Sequence, residues 1–259
     1  MPRADSWDVG VPAWVDVSTT DPAAARRFYR SLFGWDCEDR FDGDTLVYTM
    51  LRLHGRHAAG LGALPSDAAA RGATPAWTTH IAVADTDATA LAVANAGGRV
   101  LRPPMDVSDA GRTALFEDSG GAAFAVWQPG THAGAAVVNE PGSLCWNELS
   151  TTDPKAAMEF YGTVFGWSAR HDDTADQAPY TEFHLGGRTI AGMTDSSGEG
   201  SGDSHWLTYF AVNDCDGTVE KAIAHGGEVL VPPIDVPPGR YAVLRDPQGA
   251  VFGVIALAA

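Results

Sequence analysis

The alternation of apolar and polar residues in the first part of the chain predicts one unit, which then recurs. Residues 13–19 alternate as in a strand with one buried face, and apolar side chains at helical spacing run from Pro22 to Leu32. Asp21 before Pro22 is typical of a helix start, and Gly34 is typical of a helix end. Three more strands are predicted after this helix, near 35–38, at 45–53 and at 58–63. The unit is therefore β-α-β-β-β.

The next part of the chain has the same order of patterns. Its predicted elements are a strand at 78–83, a helix at 86–96 and strands at 100–106, 112–117 and 123–127. Segments without such periodicity, rich in small and turn-forming residues, are predicted to be linkers, and they lie at 65–75, 131–140 and 196–204.

The second half of the chain repeats the first. Residues 12–35 and 144–167 are identical at 13 of 24 positions, and a second block that begins at Trp77 returns at Trp206. A repeat of this kind indicates a duplicated domain. The sequence therefore predicts an α+β protein in which four βαβββ modules pair into two tandem domains. The predicted domains span 1–132 and 133–259.

Charge and hydropathy limit the partners. The chain has 17 basic and 33 acidic residues, and its formal net charge is −16. Such a field repels nucleic acid and anionic membranes, so we expect neither as a partner. No apolar run approaches about 18 residues, and the N-terminal segment lacks the pattern of a secretion signal, so a cytoplasmic protein is expected. The choice between a monomer and a homodimer stays open.

Several chemistries lack support in the sequence. There is no GxSxG, no P-loop and no GxGxxG before a helix, which argues against hydrolase, NTPase and Rossmann chemistry. Three cysteines form no CxxC motif and are predicted to be buried, inert thiols: Cys37, Cys145 and Cys215. Two groups have metal-like spacing but fall on predicted turns, where we expect solvent exposure: His54 with His57, and His171 with Asp172 and Asp173.

Two motifs are shared by both repeats. Each first helix ends in FYxx(L/V)FGW, from Phe28 to Trp35 and from Phe160 to Trp167. A late turn begins at Asp246 with the sequence Asp-Pro-Gln-Gly, and its counterpart begins at Asp118. Over nearly the whole chain the pattern resembles the vicinal oxygen chelate superfamily of glyoxalases, bleomycin-resistance proteins and extradiol dioxygenases, and most of all its tandem two-domain actinobacterial members. The resemblance implies that each pair of modules forms a curved mixed sheet around a pocket.

The resemblance also implies where a metal would be bound. Members with metal chemistry place histidine or glutamate at inward positions on three strands of each domain. The matching positions here are Trp14, Thr78 and Ala125 in the first domain, and Trp146, Leu207 and Gly253 in the second. None of these side chains is a good ligand for a divalent cation. We therefore expect no metal cofactor in either domain.

Polar residues two positions further along the same strands are the candidate catalytic groups. Side chains alternate along a strand, so these residues share the inward face with the family's ligand positions. They are Asp16 and His80 in the first domain, and Glu148 and Tyr209 in the second. A carboxylate beside an imidazole or a phenol suits acid–base chemistry or ligand recognition. The alternative is that these buried groups only satisfy one another.

Four further residues are candidate ligand-binding groups. Trp14 and Trp146 offer flat faces for an aromatic or cationic ligand, or else they fill the core. Arg112 and Arg240 are placed to reach a ligand carboxylate, or else they pair with the turn residues Asp118 and Asp246. Trp77 and Trp206 are one position out of the inward register, so we expect them to pack between layers.

The function that these observations favour is binding of a small molecule in one or both pockets, without metal and with acid–base groups at hand. Whether a reaction of lyase or oxygenase type follows binding stays open. The alternatives are a metal-dependent lyase, isomerase or oxygenase with a displaced site at Asp16 and His80, and a resistance protein that sequesters an antibiotic.

Overall fold

The structure of the protein is a computed structural model that describes residues 6–70, 72–172, 180–197 and 202–258. Within these ranges the first repeat contains β1 Pro12–Thr19, α1 Pro22–Phe33, β2 Asp36–Asp42, β3 Thr45–Leu53, β4 Arg56–Ala63, α2 Ser66–Ala70, β5 Ala76–Ala82, α3 Thr86–Asn95, β6 Arg99–Val107, β7 Gly111–Glu117 and β8 Ala123–Pro129. The second contains β9 Leu144–Thr151, α4 Pro154–Phe165, β10 Ser168–Asp172, β11 Tyr180–Leu185, β12 Arg188–Asp195, β13 His205–Ala211, α5 Cys215–Ala224, β14 Glu228–Val236, β15 Gly239–Arg245 and β16 Val251–Leu257.

The long helices begin where the sequence predicts. Asp21 caps α1 by accepting a hydrogen bond from the backbone N–H of Ala24, and an aspartate caps α3, α4 and α5 in the same way. Gly34 ends α1 with a left-handed φ of 72°, which a residue with a side chain rarely adopts. The short helix α2 was not predicted, because its Ser-Asp-Ala-Ala-Ala sequence lies in a segment that was assigned to a linker.

Each repeat forms one eight-stranded sheet. The strand order is β2-β3-β4-β1-β5-β8-β7-β6 in the first and β10-β11-β12-β9-β13-β16-β15-β14 in the second. In each module of the first repeat the first strand pairs in parallel with the last, and β1 joins the two modules by pairing antiparallel with β5. The second repeat follows the same plan. The predicted α+β fold of four βαβββ modules is confirmed.

The two largest hydrophobic cores lie between the repeats. In each core, aromatic residues of one repeat pack against aromatic residues of the other. The first core contains Phe28, Trp35, Phe210 and Phe252, and the second contains Phe116, Phe124, Phe160 and Trp167. Helix α1 packs against α5 and α3 against α4, so the helices lie between the two sheets. We call the opposite, helix-free face of each sheet its inner face.

Two smaller expectations concern cysteines and membranes. Cys215 is buried, but Cys37 is exposed because β2 is the edge strand of its sheet, which corrects the prediction that all three thiols are buried. None of the helices in the described ranges has the length and apolar character needed to cross a bilayer. The predicted linker at 196–204 and the predicted turn at Asp173 lie partly outside the described residues.

Candidate functional site

Strand register places the candidate catalytic residues on the inner face. Trp14 lies opposite His80 across the β1–β5 pair, and Asp16 lies opposite Thr78. Residues that face each other across antiparallel strands share one side of the sheet. The intervening Val15 points to the helix side and belongs to a core between the repeats. In the second repeat, Trp146 lies opposite Tyr209 and Glu148 opposite Leu207.

The first inner face carries a chain of hydrogen bonds that ends on a carboxylate. The Nε1 of Trp14 donates to the hydroxyl oxygen of Tyr48 at 3.2 Å, and that hydroxyl donates to Oδ2 of Asp16 at 2.9 Å. The Nε2 of His80 lies 3.1 Å from the other oxygen, Oδ1. The ring is poorly angled toward this oxygen, so neither nitrogen of His80 has a hydrogen-bond partner of good geometry among the described residues. His80 is only 5% exposed.

The surroundings of Asp16 favour its charged form. Burial raises the pKa of Asp16, but the charge and proximity of His80, the hydrogen bond from Tyr48 and the charge of Arg102 outweigh burial, so the pKa lies below its usual range. Burial and the charge of Asp16 hold the pKa of Tyr48 well above its usual range. At neutral pH the site therefore presents a carboxylate beside a protonated phenol.

The second inner face has the same chain of hydrogen bonds, but the pKa of its carboxylate is shifted in the opposite direction. The Nε1 of Trp146 donates to the hydroxyl oxygen of Tyr180 at 2.8 Å, and Tyr180 donates to Glu148. The Tyr209 hydroxyl donates to Oε1 of Glu148 at 3.3 Å. Burial raises the pKa of Glu148, and the hydrogen bonds from both tyrosines and the charge of His205 offset only part of that rise. Glu148 therefore favours its protonated form more than Asp16 does.

Glycines make room for these tyrosines. A Cβ at Gly60, the β-sheet partner of Asp16, would overlap the hydroxyl of Tyr48, and a Cβ at Gly192 would overlap that of Tyr180. A Cβ at Gly253 would overlap the ring of Tyr209. Each tyrosine thus lies directly against bare backbone, which fixes its hydroxyl beside the carboxylate.

The residues present do not fit the metal of the superfamily. The N–H groups of Trp14 and Trp146 are already bound to tyrosine hydroxyls, and the Tyr209 ring covers Gly253. Among the described residues, no group of three or more histidine, cysteine, aspartate or glutamate side chains is placed to hold a metal ion. Asp16 and His80 alone would supply two ligands, fewer than a structural or catalytic zinc site uses.

The two tryptophans differ in how much of their surface a ligand can reach. Trp14 is 3% exposed, and the edge of His132 packs against it with ring centroids 4.6 Å apart. Trp146 is partly exposed and lies in an apolar cluster with Tyr241. Only Trp146 therefore presents a face for stacking, while Trp14 belongs to the packing of the first domain.

Two further histidines lie near Trp14. His132 in the linker between the repeats packs against His57, with ring centroids 5.4 Å apart. Burial, together with the charges of His57, His80 and Arg40, lowers the pKa of His132 to about 4. The prediction that His54 and His57 are both exposed on a turn is wrong for His57, because that residue lies on β4 and is half-buried. His171 is exposed on β10.

The structure places Arg112 and Arg240 on the helix side of their sheets, away from the inner faces. Arg112 binds Asp87 of α3 and Asp106, and Arg240 makes the equivalent pair of contacts in the second repeat, with Asp216 and Asp235. The prediction that these arginines contact a ligand in the pockets is therefore corrected. Their predicted pairing with the turn aspartates is also wrong, because Asp118 and Asp246 accept hydrogen bonds from tyrosines of the opposite repeat.

Tyr48 and Tyr180 also lie at the site, although the sequence patterns described above do not single them out. A third repeated block carries them: Tyr48-Thr49 precedes Gly60 by the same number of residues as Tyr180-Thr181 precedes Gly192. Aligning that block would have found both the tyrosines and the glycines beneath them. The predicted packing of Trp77 and Trp206 is confirmed, since each belongs to a core between the repeats.

Comparisons with known proteins give one family. The family model described as the Glyoxalase/Bleomycin resistance protein/Dioxygenase superfamily matches residues 12–126 and 143–254. The chain is 42% identical over 257 residues to the candidate glyoxylase CFP32 of Mycobacterium tuberculosis, which covers 98% of both chains. It is 38% identical over 258 residues to the anthracycline biosynthesis protein DnrV of Streptomyces peucetius, which covers 96% of this chain and 94% of that protein.

Solved structures share the fold at low sequence identity. The Mn(II)-bound glyoxalase from Novosphingobium aromaticivorans matches with a TM-score of 0.62 and 15% identity, over 95% of this chain and 82% of that one. The 2,3-dioxygenase LapB from a Pseudomonas species matches with a TM-score of 0.62 and 14% identity, over 97% of this chain and 94% of that one.

Proposed function

Because the chain belongs to the Glyoxalase/Bleomycin resistance protein/Dioxygenase superfamily, we propose that it binds a small organic molecule at the inner face of each sheet without the superfamily's divalent metal. Asp16 with His80, and Glu148 with Tyr209, are the groups that exchange hydrogen bonds and protons with this ligand. The protein acts in the cytoplasm, as a monomer or a homodimer.

One observation carries the proposal: the same Trp–Tyr–carboxylate chain is built on both inner faces, at the strands where metal-dependent members bind their metal. This chain of hydrogen bonds requires a partly buried carboxylate in each repeat, and the glycines beneath the tyrosines make room for it. A purely structural role calls for no carboxylate at the centre of the sheet, since apolar side chains fill such a position with less desolvation.

The two carboxylates differ in pKa, so we expect them to play different roles toward a ligand. Asp16, whose lowered pKa keeps it ionised, accepts a hydrogen bond from a ligand hydroxyl. Glu148, whose pKa burial raises, is the more readily protonated of the two carboxyl groups and so the better proton donor to a ligand. The partly exposed face of Trp146 and the neighbouring Tyr241 favour a planar, aromatic ligand in the second domain. The similarity to a protein of anthracycline biosynthesis supports an aromatic ligand as well.

Native mass spectrometry tests this proposal. Purified protein is mixed with a library of aromatic hydroxy compounds, quinones and carboxylic acids, with and without a chelator. We expect one or two bound organic molecules per chain that the chelator does not displace, and weaker binding in Asp16→Asn or Glu148→Gln. A stoichiometric divalent metal that is lost in His80→Ala would overturn the metal-free proposal, and the absence of any organic ligand would overturn binding itself.

A further inference from the structure

Arg102 is a cation on the inner face of the first sheet. Strand register pairs Arg102 of β6 with Leu115, Leu115 with Ala125, and Ala125 with His80. Residues in register on neighbouring strands share one side of a sheet. Arg102 therefore faces the same side as His80 and Asp16.

The curl of the sheet brings Arg102 toward Asp16. The strand order β1-β5-β8-β7-β6 puts β6 four strand spacings from β1, which is about 19 Å in a flat sheet. The pKa of Asp16, raised by burial and lowered most by His80, is nevertheless lowered further by the charge of Arg102. An exposed charge has little effect at 19 Å in water. In the curled sheet the two groups are nearer than this flat spacing, and Arg102 is the cation on the inner face that acts on Asp16.

Arg102 is free to bind a ligand. It is exposed, and it forms no ion pair or hydrogen bond with any residue in the described ranges. Two other arginines on the same inner face, Arg40 and Arg52, are both bound to Glu38. An unpaired guanidinium presents a planar pair of N–H donors that matches a carboxylate.

The second repeat lacks this cation. The sequence Val-Leu-Arg-Pro-Pro around Arg102 corresponds to Val-Leu-Val-Pro-Pro around Val231. Val231 packs into the apolar cluster of the second inner face with Val243 and Tyr209. The first inner face also carries His80, which is 5% exposed and makes no hydrogen bond of good geometry within the described ranges, where the second has Tyr209. Two independent differences therefore make the first pocket the more suitable one for an anion.

We propose that the first pocket selects a hydroxylated organic carboxylate. The ligand's carboxylate binds Arg102, and its hydroxyl donates a hydrogen bond to Asp16 with His80 beside it. A single negative charge on the ligand faces Arg102 rather than Asp16, because it repels the Asp16 carboxylate and the two protein groups lie on different strands, β6 and β1. This inference rests on the proposed function, since it names the ligand class of one of its two sites.

Isothermal titration with two matched probe pairs tests the inference: para-hydroxybenzoate and its amide, and a hydroxynaphthoate and its amide. Each pair differs only in the charge of one group. In the intact protein we expect the carboxylate to bind at least about tenfold more tightly than the amide, since a hydrogen bond to a charged group adds that much. Arg102→Val, which installs the residue of the second repeat, removes this preference by lowering the affinity for the carboxylate to about that for the amide.

Arg27→Val is the matched control. Arg27 is an exposed arginine on α1, on the helix side, so this variant changes the net charge equally and is expected to keep the preference. If the amide binds as tightly as the carboxylate, or if Arg102→Val keeps the preference, the inference is overturned while small-molecule binding stands. If no probe binds, the inference is overturned, and the library screen alone decides the proposed function.

Discussion

The hydroxyl of Tyr29 donates a hydrogen bond of 2.9 Å to Oδ2 of Asp246, which lies 217 residues further along the chain. Tyr161 of the second repeat binds Asp118 of the first in the same way, also at 2.9 Å. Each repeat's helix motif is therefore completed by the other repeat's Asp turn. A tryptophan N–H, from Trp77 in the first case, donates to the same tyrosine oxygen at 2.9 Å. The duplicated motifs hold the two repeats together.

Removing one of these hydroxyls will destabilise the whole chain. Tyr29→Phe leaves the buried carboxylate of Asp246 and the N–H of Trp77 each short of a partner. We expect a loss of about 1–3 kcal/mol in the free energy of unfolding, measured in urea. Ser31→Ala is the control, because it removes a local bond from the Ser31 hydroxyl to a carbonyl of its own helix and is expected to cost under about 0.5 kcal/mol. Equal losses in both variants would contradict the assignment.

Neither repeat will be a stable unit by itself. The core that contains Phe28 and Trp35 is completed by Phe210 and Phe252, so a cut between the repeats exposes it. We expect fragments 1–132 and 133–259 each to bind a hydrophobic dye and to unfold without a cooperative transition, because each has lost half of two cores. Mixing them restores a folded one-to-one complex, measured by sedimentation and near-UV circular dichroism. Two separately cooperative fragments would be the opposite result.

The close approach of Tyr48 to Gly60 predicts a coupled pair of mutations. Gly60→Ala forces the Tyr48 hydroxyl off its position and is expected to cost about 1–3 kcal/mol in the free energy of unfolding. In a Tyr48→Phe background the cost falls, because the ring has lost its hydrogen bonds to Trp14 and Asp16 and is free to tilt. A double-mutant cycle measures this coupling.

Gly62→Ala is the control for this cycle. Gly62 lies on the same strand, and its added Cβ would meet the Tyr48 ring at 3.5 Å, an ordinary contact. We expect a small cost that does not depend on the residue at position 48. Additive effects of Gly60→Ala and Tyr48→Phe would show that the hydroxyl is not what the glycine accommodates.

The residues of the inner faces show which parts of the site can be predicted from the sequence and which cannot. Strand alternation and the repeat placed Asp16 and His80 on one face, since both lie on regular central strands. The strand of Tyr48 was predicted at 45–53, but the contact of this residue with Asp16, 32 residues away, depends on how the strands pair and pack. The contact of Tyr29 with Asp246 and the position of Arg102 depend on how whole sheets pack and curl, which no local pattern encodes.

The pH dependence of stability separates the two carboxylates. The pKa of Asp16 is lowered in the folded protein, mainly by His80 acting against burial, so its stabilising effect is present above its unfolded pKa near 3.8 and is lost as the pH falls through the folded value. The pKa of Glu148 is raised by burial from 4.5, so its neutral form favours folding and stability is lost as the pH rises through the folded value.

Two amide variants test the opposite pKa shifts of Asp16 and Glu148. At pH 7 we expect Asp16→Asn to lower the free energy of unfolding and Glu148→Gln to raise it, because folding favours the charged form of Asp16 and disfavours the charged form of Glu148. As the pH falls from 7 to 3, both differences from the unmodified protein shrink, that of Glu148→Gln at the higher pH. Urea unfolding across this range gives both curves. If Asp16→Asn raised the free energy of unfolding at pH 7, or Glu148→Gln lowered it, the opposite pKa shifts of the two carboxylates would be contradicted.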